Sequence, residues 1–152
     1  MSASKLKEDL QKKLLAILNT KQEEALQTLA SARESRDSDT KSSAGDKHET
    51  ARAMVQIEIE KNEVQLNKIQ QQKEELLKIP IQKKFNKVEL GSLVYTNQEN
   101  YFFSIGHGKI ETDEGIFYAI SLAAPIGLAL NGKTTGDQIE FQGRSIRILK
   151  LE

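Results

Sequence analysis

Cysteine and tryptophan are absent from this 152-residue chain, and proline occurs only twice. Without cysteine there is no disulfide framework and no thiolate metal centre. An excess of one charge sign is lacking too, since 22 basic and 22 acidic side chains give a formal net charge of zero. That balance argues against a chain whose main task is coating nucleic acid, because displacing counterions from phosphates needs a surplus of Lys and Arg. No apolar run is long enough for a membrane span or a signal-peptide core, and Glu8 and Asp9 fall within the first turns. The expectation is a soluble cytoplasmic protein of one domain or two small ones.

The scarce residues are unevenly placed. The eight aromatic side chains, from Phe85 to Phe141, all lie at or after position 85, and Gly45 is the only glycine before it. Residues 1 to 84 carry 16 basic and 14 acidic groups, and the remainder carry 6 and 8. Two units meeting near Pro80 are expected: a helical one over residues 1–80, a linker over 81–87 and a mostly β one over 88–152. The fold class is α+β.

From Leu6 to about Arg36 good helix formers dominate, with no Gly or Pro. Leu6, Leu10, Leu14, Ile17 and Leu18, then Ala25, Leu29 and Ala32, recur at spacings of three and four, which puts them on one side of a helix. From Glu49 to Ile79 a heptad seam runs through Val55, Ile59, Asn62, Leu66, Ile69, Lys73 and Leu76, with two polar interruptions of the kind that set register. Small and polar residues from Asp37 to Glu49 read as the turn between them. Two such helices fold back antiparallel into a hairpin of roughly 45 Å, from about 30 residues per arm. A rod so thin buries no globular core, so its tip or its outer faces must serve a partner.

After Phe85 the periodicity changes. Residues 92–96, 101–105, 115–122, 138–141 and 145–151 are rich in β-branched and aromatic side chains and bounded by Gly, Asn and Asp, the mark of strands. In the last of these Ile146 and Ile148 face inward, with Leu149 or Leu151 as the next inward position. Pro125 to Asn131 reads as a short helix, with Pro in its first turn and Gly132 placed to end it.

Three constellations bear on function. Gly127 to Thr134 matches the phosphate-loop pattern G-x-x-x-x-G-K-[ST], but the helix precedes the Gly-Lys pair and no βαβ unit surrounds it, so nucleotide binding is not expected. His48 and His107 are isolated, with no second His or Cys at ligand spacing, and read as structural or solvated. The acidic tip carries Asp37, Asp39 and Asp46. Asp46 with Glu49 forms a capping box for the second helix. Asp37 and Asp39 stand at the C-terminal end of the first helix, where the dipole disfavours carboxylates. They are either solvated loop residues or carboxylates presented to a magnesium ion in a partner's active centre.

The stretch from Ile120 to Ile139 resembles the signature of the C-terminal domain of bacterial Gre transcript cleavage and elongation factors, which runs Ile-Ser, two residues, Ser-Pro, an Ala-Leu pair, Gly-Lys and Gly-Asp before a closing strand. Pro125, Gly132, Lys133, Gly136 and Asp137 carry the match; Ala124 and Asn131 depart from it. The order of a helical hairpin, a linker and a small FKBP-like β domain is also similar. The resemblance implies docking on RNA polymerase through those signature residues and insertion of the hairpin into the secondary channel. There Asp37, Asp39 and Asp46 would act in trans at the 3′ end of backtracked RNA, with Asp37 and Asp39 sharing a Mg2+ ion of the polymerase. The protein would then be an accessory factor, monomeric, without a cofactor of its own and without a membrane partner. Counted from Ala32-Arg33-Glu34, Asp37 matches the first family acid. Thr40 and Lys41 stand where Glu and Asn are usual, and the tip is four residues longer. A cleavage-inactive inhibitor of the polymerase, an FKBP-like prolyl isomerase or chaperone, and a dimerising coiled coil are the alternatives.

Overall fold

A computed structural model describes residues 2–39 and 46–152, with the side chains of residues 38–48 outside the description. The chain is α+β: two long N-terminal helices, α1 (Ala3–Asp39) and α2 (Asp46–Leu77), precede a six-stranded mixed sheet. Two compact units result, one of Ala16–Lys73 and one that joins Met1–Leu15 to Glu74–Glu152. Among the described residues, no helix is long and apolar enough to cross a membrane.

Helix α1 starts where the Ser2 hydroxyl accepts the Lys5 amide at 3.2 Å, an N-cap that satisfies one of the free donors of the first turn. Both helices extend three residues further toward each other than the composition suggested. The rest of the expected turn, residues 40–45, lies outside the described residues.

In the unit of Ala16–Lys73 the heptad seam is where the apolar side chains are buried. Leu18, Ala25 and Leu29 of α1 and Ile59 and Ile69 of α2 are all under 9% exposed. The two polar seam positions differ in role. Lys73 Nζ donates to Gln22 Oε1 at 3.0 Å, from one helix to the other, which is what a register-setting residue must do. Asn62 instead donates to the Glu58 carbonyl of its own helix at 2.8 Å. Further hydrogen bonds between the helices join Gln22 to Gln70, Arg33 to Glu63 and Arg36 to Gln56.

The other unit carries strands β1 (Leu93–Thr96), β2 (Tyr101–Phe103), β3 (Gly108–Thr112), β4 (Gly115–Ile120), β5 (Gln138–Phe141) and β6 (Arg144–Leu151), with α3 (Pro125–Leu130) between β4 and β5. Their order in the sheet is β3-β4-β2-β1-β6-β5. Strands β2 and β4 pair in parallel, Phe102 opposite Ala119, and every other pair is antiparallel. One face holds Val94, Tyr101, Phe103, Ile146 and Ile148, covered by Ile126 and Leu130 of α3. Alternation sends Leu93, Phe102 and Phe117 to the opposite face, where they too are buried.

Strand β3 is an addition to the five expected strands. Its single buried apolar residue, Ile110, stands between charged Lys109 and Glu111, so no alternation of apolar side chains announces it. The inward position left open in β6 is settled by a bulge. Tyr95 pairs with Lys150 and Thr96 with Ile148, so Leu149 is the extra residue, 53% exposed, and Leu151 returns to the inner face.

The β1–β2 loop is fastened to β6 by charge. Arg144 Nη1 and Nη2 donate to the Glu99 carboxylate at 2.9 and 3.3 Å, and the Tyr101 hydroxyl donates to it at 3.0 Å. The Arg144 hydrogen bond, more than any other influence, holds the Glu99 carboxyl below the usual glutamate range. A depressed carboxylate contributes stability above its unfolded pKa and loses it as pH falls through the folded one. Arg144→Ala is therefore expected to raise the Glu99 pKa, read by carboxyl-carbon NMR titration, with little change in stability because the pair is solvated. An unchanged Glu99 titration would show that the arginine does not hold it.

Candidate functional site

The expected tip lies where α1 ends and α2 begins. Asp39 is the last residue of α1 and Asp46 the first of α2; their side chains lie outside the described residues. Asp37 is exposed on the last turn of α1 and accepts a hydrogen bond from Arg36 Nε at 3.2 Å. Arg36 Nη1 reaches over to Gln56 Oε1 of α2 at 3.1 Å. One open hollow of about 490 Å3 is lined by Arg36, Asp37, Glu49, Arg52, Ala53 and Gln56.

Two basic residues, Arg36 and Arg52, are thus part of this site beside the expected carboxylate Asp37. The signal was present: Arg36 adjoins Asp37, and Arg52 lies three residues, one helical turn, past Glu49. An arginine at the C-terminal end of a helix also offsets the dipole that disfavours Asp37 there. Asp37 is held in an orientation by a cation, so as it stands it is a partnered carboxylate. Among the described residues no cluster of three or more His, Asp or Glu side chains could hold a metal ion. A cation at this end would need ligands from residues 38–48 or from another molecule.

The residues Pro125, Gly132, Lys133, Gly136 and Asp137 are brought together by main-chain bonds. Pro125 opens α3 at its first position, and Gly132 follows its C-cap at φ +78°, a left-handed conformation that glycine adopts without strain. The Gly132 amide donates to Val88 O at 2.9 Å, and the Val88 amide returns a bond to Lys133 O at 2.8 Å. Asp137 Oδ2 accepts the Thr134 amide at 2.8 Å, while the Gly136 amide donates to Ile148 O at 2.8 Å. Thr134 Oγ1 donates to Asn86 O at 2.6 Å. This segment stitches residues 86–88 to β6. Lys133 is exposed, as are Pro125, Gly132 and Gly136.

The same bonds dispose of the phosphate-loop pattern. The amides of Leu128, Asn131, Gly132 and Lys133 donate to Ala124, Gly127, Val88 and Leu130 carbonyls, so they are not turned toward an anion. His107 lies in the approach to β3, and its amide donates to Ala119 O at 3.0 Å. The His48 side chain is outside the described residues. Comparison with protein-family models, with curated proteins and with solved structures found no match.

Proposed function

We propose that this chain is an RNA polymerase-binding elongation factor of the Gre type, which modulates cleavage of backtracked RNA. The observation that carries the reading is the segment Ile120–Ile139, whose Gly-Lys and Gly-Asp pairs sit at the turn after α3 and before β5, in a chain that orders two long helices ahead of a small sheet. In this reading α1 and α2 are an antiparallel coiled-coil hairpin. The hydrogen bonds between them support that, since their sequence separation falls from 51 at Lys73–Gln22 to 30 at Arg33–Glu63 and 20 at Arg36–Gln56, approaching the loop. The sheet with α3 is the FKBP-like anchor, and Lys133 belongs to its docking surface.

The polymerase supplies the chemistry. Asp37, with Asp39 and Asp46, approaches the weakly held second Mg2+ ion, and Arg36 yields Asp37 to it at the cost of one exposed ion pair. The test is a backtracked elongation complex assembled with the full chain. Protection of secondary-channel residues is expected, and Asp37→Ala combined with Asp39→Ala is expected to change the cleavage rate about fivefold, roughly 1 kcal/mol of barrier, without loss of the footprint. No footprint would remove polymerase binding; a footprint with cleavage indifferent to the tip acids would leave a channel-occupying inhibitor. Xaa-Pro isomerisation catalysed by the chain would favour the isomerase instead.

A further inference from the structure

The sheet-bearing unit contains a cavity of about 370 Å3 that a polymerase-binding role leaves unexplained. Its lining includes Ser2 and Lys7 from the start of α1, Lys83, Lys84 and Phe85 from the segment after α2, and Glu152. Lys7 is 1% exposed, a burial rarely seen for lysine without a paired charge. Its Nζ lies 4.5 Å from the centre of the Phe85 ring and donates to Lys83 O over 3.3 Å. An ammonium has three donors, and one long hydrogen bond with an aromatic face does not repay its desolvation.

Within the cavity lining the one acidic side chain is Glu152. Glu152 attracts Lys7 through space, but its carboxylate is already engaged by Lys150 and by the Tyr95 hydroxyl. Lys83 stands 5.0 Å from the same Phe85 ring and reaches Glu89 at 3.4 Å. Lys84 has no hydrogen bond or ion pair among the described residues. Three lysines and one committed glutamate leave the lining side chains with a charge of +2, beside an apolar wall from Ile81 and Leu151.

We propose that this cavity binds a phosphate monoester whose ester group is small and apolar. A phosphate monoester carries close to two negative charges at neutral pH and three strong acceptor oxygens, which matches the charge and the unspent donors of the lysines. The ester group covers Ile81 and Leu151. Burial has already lowered Lys7 to about 8, so a dianion bound beside it draws the proton back and raises that value.

Phenyl phosphate titrated into the full chain at pH 7, without polymerase, tests this independently of the elongation-factor reading. Calorimetry should show one saturable site, and side-chain nitrogen NMR should show the Lys7 ammonium signal moving with the same isotherm. Lys7→Met should weaken binding by about tenfold or more, as expected for loss of a charge-assisted hydrogen bond, and Lys84→Ala by severalfold. Lys13→Ala, outside the lining, should bind as the parent does. Lys7→Met removes a buried charge and is expected to fold, which its thermal melt checks; Lys84→Ala, at an exposed position, guards against its failure. Absence of saturation at about 10 mM, where binding would be weaker than roughly 3 kcal/mol, would overturn the site. Equal affinity in the parent and in both lysine variants would overturn it as well.

Discussion

Gly127→Ala is expected to destabilise the sheet-bearing unit by about 3 kcal/mol, the upper end of what overpacking a closed site costs. A Cβ at that position would stand 2.4 Å from the Ser121 carbonyl oxygen and 2.7 Å from the Leu122 Cα and carbonyl oxygen. All three are backbone atoms, so no rotamer change makes room. Either α3 moves outward, withdrawing Ile126 and Leu130 from the core, or the turn at Ser121–Leu122 moves and drags the end of β4 with it. The neighbouring Leu128 is 67% exposed, and Leu128→Ala should change stability by no more than about 0.5 kcal/mol. Urea unfolding followed by near-ultraviolet circular dichroism makes the measurement local, because every aromatic residue lies at or after Phe85. A lower midpoint with unchanged slope is the expected result. A midpoint equal to the parent's would show that the backbone at Ser121 and Leu122 yields without cost.

Gly127 also marks how far the sequence could be read. As a letter it was the first glycine of a phosphate-loop pattern; in the fold it is the point where α3 touches the turn after β4. The helices were legible because their formers and seam residues repeat locally, at spacings that need no knowledge of the rest of the chain. Their ends were not, since Asp37 to Asp39 and Asp46 to His48 are polar residues equally at home in a turn. Strands with apolar runs, such as Tyr101–Phe103, announced themselves, while β3 had only Ile110 to show. The parallel pairing of β2 with β4 leaves no local mark at all, because it follows from how the β3–β4 hairpin packs. The bulge at Leu149 shifts the alternation by one, which is why two leucines competed for one inward position. At the tip, Asp37 was found by its charge and Arg36 was passed over, although electrostatics couples them. Lys7 was missed for a similar reason. It lies three residues before Leu10 and seven before Leu14, on the buried stripe of α1, but a lysine is assigned to solvent by habit of composition.

That buried lysine leads to the second large effect: the chain is expected to become more stable as the pH rises from 8 to 10, by on the order of 2 kcal/mol. Burial lowers the Lys7 pKa from 10.5 to about 8, with Glu152 opposing the shift. Below pH 8 the native and unfolded chains both carry the proton, and the cost of burying the charge is borne in full. Between about 8 and 10.5 the native state has released it and the unfolded state has not, so the unfolded chain binds more protons and stability rises with pH. The full shift corresponds to roughly 3 kcal/mol, and residual screening by solvent reduces it. Two tyrosines set the upper limit of the window. Burial, with Glu152, raises Tyr95 to about 12, and burial with the Glu99 hydrogen bond raises Tyr101 further. Groups whose folded pKa is raised lose their contribution as pH climbs, so above about pH 10 the stability curve turns downward. Lys7→Met should keep that downturn and lose the rise before it. At pH 7 the variant should be more stable by about 1 kcal/mol, the relief of a buried charge less the hydrogen bond to the Lys83 carbonyl. Urea midpoints measured at intervals from pH 7 to 11 distinguish the two proteins, and parallel curves would mean that the Lys7 ammonium is solvated and its burial without energetic consequence.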